Sequence, residues 1–81
     1  MQIETDRDYL LEELSIQERA AVKNAFNRRM GEIAAQPHAA LRAHIHCAAL
    51  TFAAAQAMAE LEGPEVAART LRRLADGLDN V

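Results

Sequence analysis

Eighty-one residues suffice for one small domain, 1–81, and no more. Hydrophobic side chains make up 51% of the chain and charged ones 26%, which excludes an intrinsically disordered tail. The net charge is −3, so a nucleic acid is not the expected main partner, because phosphate binding normally draws on net positive charge.

Cys47 is the sole cysteine. No internal disulfide can form, and the reducing cytoplasm is the expected compartment. The opening residues are acidic where a secretory signal would be basic and then apolar. The most apolar stretch, 39–59, is mostly alanine and is interrupted by Arg42, His44, His46 and Gln56. A membrane-spanning helix needs about 20 stronger, uncharged hydrophobes, so no membrane association is expected.

Eighteen alanines set the secondary structure, since alanine has the highest helix propensity and leucine, glutamate and arginine follow it. Valine, isoleucine and threonine never alternate, so no strand is readable. A first helix is expected over about 6–14, opened by Thr5 as cap, with Tyr9, Leu10, Leu11 and Leu14 as its apolar side. Ser15-Ile16-Gln17-Glu18 is a capping box, which predicts a break or kink at Leu14–Ser15. A second helix is expected over about 16–35, with Val22, Phe26, Met30 and Ile33 on one stripe. Pro37 ends it and is placed to open the next.

The third helix, about 37–62, is apolar on two sides. Leu41, Ile45, Ala48, Phe52 and Ala59 share one face at 100° per residue. Cys47, Leu50, Ala54, Ala57, Met58 and Leu61 share roughly the opposite one. A helix apolar on two faces has to be covered on two sides. Gly63-Pro64 separates it from a fourth helix, about 64–76, whose apolar residues are Ala67, Leu71, Leu74 and Leu78 and whose expected C-terminal cap is Gly77. Arg69, Arg72 and Arg73 lie on its solvated side.

The fold class is therefore all-α: a small three-to-four-helix bundle or helical hairpin around a long alanine-rich central helix. Chains of about 70–80 residues rarely draw more than about 3–5 kcal/mol from one core, and buried alanine contributes little to it. A homodimer or higher oligomer is expected, through Cys47, Leu50, Ala54, Ala57, Met58 and Leu61.

His44 and Cys47 are three residues apart and share a helical side, but two ligands fall short of the three or four that zinc takes. No metal or cofactor is expected. Nor is an enzyme: a Cys–His pair in mid-helix has no oxyanion donors, because the helix already uses its own amides. Glu4, Asp6, Asp8, Glu12 and Glu13 form an acidic segment able to engage a basic surface on a protein partner, including one that ordinarily holds nucleic acid. Arg29 falls on the apolar stripe and is a second candidate anchor. Leu14 to Arg19 resembles the opening of helix-turn-helix units, although the helix after it is too long for their compact form. The expected function is that of a small non-enzymatic helical protein that self-associates and binds a protein partner as a steric inhibitor, adaptor or regulator. The alternative is a regulator that binds nucleic acid or a small anion through Arg19, Lys23, Arg28 and Arg29.

Overall fold

The computed structural model describes residues 3–80, with side chains from Arg7 onward. Three helices make up almost all of it: α1, Ile3–Ala34; α2, Ala39–Glu62; and α3, Pro64–Asp79. The protein is all-α, with no strand among the described residues. The chain divides into two units, Met1–Ala40 and Leu41–Val81.

The first unit is α1 and the turn that follows it. The break expected at Leu14–Ser15 does not occur, and the helices expected over 6–14 and 16–35 are one helix of 32 residues. Thr5, the expected cap, lies inside it. The reason is compositional: no glycine or proline interrupts the chain from Ile3 to Met30, and straight-chain residues lose little freedom in a helix. A serine three residues before a glutamate caps a helix only where the chain is already turning. In mid-helix it is an ordinary neighbour pair on one side.

What Ser15 does mark is a change of apolar phase. Leu10, Leu11 and Leu14 centre on one side of α1, and Val22, Phe26, Met30 and Ile33 centre roughly 110° further round. Averaged over its length, α1 therefore has almost no net apolar side. Only the second stretch is covered, and only beyond Val22, which is exposed. Ile33 is buried, Phe26 and Met30 are half-buried, and Leu10, Leu11 and Leu14 are exposed.

α1 ends in a tightened turn, in which the Ala35 amide donates to the Glu32 carbonyl at 3.3 Å and the Gln36 amide to the Ile33 carbonyl at 2.9 Å. Pro37, expected to open the next helix, lies instead in the turn. His38 takes φ 58, in the left-handed region, so the right-handed helical path begins only at Ala39.

The second unit is a hairpin of α2 and α3 about Gly63. The Gly63 amide donates to the Ala59 carbonyl at 2.9 Å, closing α2, and its carbonyl accepts from the Ala67 amide at 3.1 Å, opening α3. Pro64 occupies the first turn, where its missing amide costs nothing. Gly77, expected as the C-terminal cap, is inside the last turn of α3, which runs to Asp79. The Asn80 side-chain amide then donates to the Asp76 carbonyl at 3.0 Å, satisfying one of the end carbonyls.

The covered positions of the hairpin are Ala43, His46, Ala55, Met58 and Ala59 on α2, and Ala67, Ala68, Thr70 and Leu71 on α3, with alanine the commonest among them. Small side chains let two helices approach closely. Ala67 and Ile33 are the buried apolar residues among those described. α3 is strongly amphipathic, yet its stripe is covered only at the turn end. Leu74 and Leu78, further along, are exposed.

Candidate functional site

The candidate site is a set of exposed helix faces. On the Phe52 side of α2, Ala55 and Ala59 are half-buried and Leu71 of α3 lines one open groove with Phe52 and Ala48, so that side is covered only in part. Leu41, Ile45 and Phe52 remain exposed on one side, and Leu50 and Leu61 on the other, with Leu61 reaching 84%. Alanine is the cause: Ala55 and Ala59 permit the close approach that the leucines and Phe52 would obstruct.

The six expected self-association residues divide accordingly. Leu50, Ala54, Ala57 and Leu61 share the open face. Met58 is turned toward the covered flank and is half-buried. Cys47 is exposed and lines an open groove with His44, Ala48, Thr51, Phe52, Ala55 and Leu71. The Thr51 hydroxyl donates to the Cys47 carbonyl at 2.8 Å, one turn back along the same helix. Among the described residues, no three His, Cys, Asp or Glu side chains converge as a metal ion would need, and no helix is long and apolar enough to cross a membrane.

On α1, Asp8, Glu12 and Glu13 are exposed. Glu12 and Glu13 border a shallow depression with Tyr9, Ile16 and Gln17, so this acidic segment is interleaved with apolar side chains. The side chains of Glu4 and Asp6 lie outside the described residues. Arg29 is already engaged: its Nη1 donates to Glu32 Oε2 at 3.0 Å, an i,i+3 ion pair on the same helix. Arg19 and Lys23 share one side of α1, while Arg28 lies about 140° round from Lys23, so the four cations form a band around the rod. Because α1 is unbroken from Leu14 to Arg19, the resemblance to a helix-turn-helix opening ends at the sequence.

Tyr9, Leu10, Leu11 and Leu14 are the exposed residues whose role the sequence leaves hidden. The available signal was the angle between the two apolar stretches of α1, which one cover cannot serve.

Comparison of the chain with protein-family models, with curated proteins and with solved structures gave no match.

Proposed function

We propose that this is a small non-enzymatic binding protein that self-associates and acts by docking on a protein partner. The observation that carries the reading is the exposure of Leu50 and Leu61 on one side of α2 and of Leu41, Ile45 and Phe52 on the other. Fully burying a leucine or phenylalanine contributes about 1.5–3 kcal/mol, and contiguous apolar faces on a small chain mark interaction surfaces. Two open faces at one level of a helix call for two covers. A second copy on the Leu50–Leu61 face and a partner on the Phe52 face meet that requirement, and the acidic segment of α1 is a surface of its own for a basic partner. The mode of action is steric, a rigid helical surface that blocks or bridges what it binds.

Light scattering on size-exclusion fractions tests the reading. A species heavier than 8.9 kDa is expected for the wild type at micromolar concentration, with a lower mass for Leu50→Asp/Leu61→Asp. A wild-type monomer at that concentration overturns self-association.

A further inference from the structure

We propose that α2 carries half of a zinc site, the His44 imidazole and the Cys47 thiolate, and that a second copy of the chain supplies the other half about a two-fold axis. The site goes beyond the reading above and needs neither of its apolar faces, since His44 and Cys47 centre about 80° round α2 from Leu50 and Leu61.

His44, Cys47, Ala48 and Thr51 fall within one arc of about 100° on α2, and all four are exposed. Further along the same side Ala55 and Met58 are half-buried, so this arc is the part of it left open. Residues three apart on a helix bring their Cβ atoms to about 5–6 Å. That is within reach of a single ion at the usual zinc–sulfur and zinc–nitrogen distances of about 2.3 and 2.0–2.1 Å. Both ligands border one groove with Ala48, Thr51, Phe52 and Leu71. Cys47 is in no disulfide, and the bond from Thr51 occupies its carbonyl and leaves the thiol.

The donor types point to the metal. A thiolate beside an imidazole selects zinc over the oxygen-seeking magnesium and calcium. Structural zinc takes four ligands in a tetrahedron, and among the described residues no third His, Cys, Asp or Glu converges on this pair. A two-fold axis returns the same imidazole and the same thiolate from a second copy, which completes a Cys2His2 set with no further residue. Ligands spaced i,i+3 on facing helices meet at one ion in helix-bundle metal sites. Ala48 and Thr51 are small enough to let the second α2 come close, and Phe52 and Leu71 give the ion an apolar surround that limits access of water. Each thiol gives up its proton to solvent as the sulfur ligates.

The test is a titration of the reduced, metal-free full chain with cobalt(II), a coloured stand-in for zinc. The visible bands of tetrahedral cobalt and a thiolate-to-cobalt charge-transfer band are expected, saturating at one ion per two chains and bleached by zinc. Cys47→Ser and His44→Ala are each expected to weaken binding beyond the range of about 10–100-fold that loss of an outer-shell partner costs. Circular dichroism is expected to show unchanged helicity in both, because the two positions are exposed. In a Leu50→Asp/Leu61→Asp chain, one zinc per two chains is expected to double the mass by sedimentation equilibrium. Saturation at one ion per chain, a spectrum without the thiolate band, or a mass indifferent to zinc overturns the site. The two readings fail separately. A wild type that is monomeric until zinc is added removes the Leu50–Leu61 contact and leaves the metal site standing, and metal-independent dimers with no thiolate–cobalt band do the reverse.

Discussion

Leu50 and Phe52 stand two residues apart on α2 and about 160° apart around it, and both are exposed, at 43% and 65%. The half-buried neighbours of Phe52 on its own side are Ala55 and Ala59, where small side chains let a second backbone come close, while Phe52 itself stays open. The half-buried alanines and the open leucine and phenylalanine positions of α2 both follow from the distribution of alanine.

Leu61→Asp follows from that arrangement. At 84% exposure the side chain contributes little within the chain, so unfolding at low concentration is expected to change by no more than about 0.5 kcal/mol. Where the Leu50–Leu61 face is covered by a second copy, the same substitution removes about 1.5–3 kcal/mol of burial per chain, a tenfold or greater rise in the dissociation constant by sedimentation. Destabilisation of the monomer by more than about 1 kcal/mol would show that Leu61 is covered intramolecularly.

Gly63→Ala isolates backbone strain from packing. Gly63 sits at φ 92 and ψ 152, in a region that side chains rarely occupy, while a Cβ at that position would meet nothing within 4 Å. Any loss of stability is therefore torsional and amounts to about 1–3 kcal/mol. For a domain of this size each kilocalorie lowers the midpoint by about 4–8 °C. Thermal unfolding at one fixed protein concentration measures it, and an unchanged midpoint would show that the turn relaxes to a conformation open to alanine.

The helical class, the Gly63-Pro64 joint and the two apolar faces of α2 are legible in the sequence because each rests on local chemistry: alanine propensity, a glycine–proline stop and 100° spacing. The continuity of α1 is not. Ser15 and Glu18 satisfy a capping pattern, and the apolar stripe changes side there, but both signals describe side chains, whereas continuity is decided by the absence of any backbone breaker. Which side of α2 would meet α3 was hidden for a related reason. Hydrophobicity points to the leucines and Phe52, whereas the half-buried positions are the small Ala55 and Ala59 beside Phe52.

His38 offers a stabilising change. As a non-glycine residue at φ 58 it bears a left-handed cost of about 1–2 kcal/mol. Glycine removes that cost but gives back part of the gain through greater freedom in the unfolded chain. His38→Gly is expected to stabilise by about 0.5–1 kcal/mol in urea unfolding, and the β-branched His38→Val to destabilise, because its stiff side chain tolerates that region worst. If valine matches histidine, the turn after α1 is not held in the left-handed form in solution.

Ala67→Leu and Leu74→Ala together test where the hairpin closes. Ala67 is 3% exposed and lies about one helical turn beyond Gly63. Three added carbons there force the helices apart, at a cost of about 1–3 kcal/mol. Leu74 lies two turns further along the same stripe and is 61% exposed, so its truncation within a lone chain should cost no more than about 0.5 kcal/mol. Urea unfolding at two protein concentrations separates the cases, because contacts between chains make apparent stability concentration-dependent and contacts within a chain do not. The Ala67→Leu penalty is expected to be the same at both concentrations. Should Leu74→Ala cost more at the higher one, the far end of the α3 stripe is covered by another molecule, and the half-open hairpin is one side of an interface.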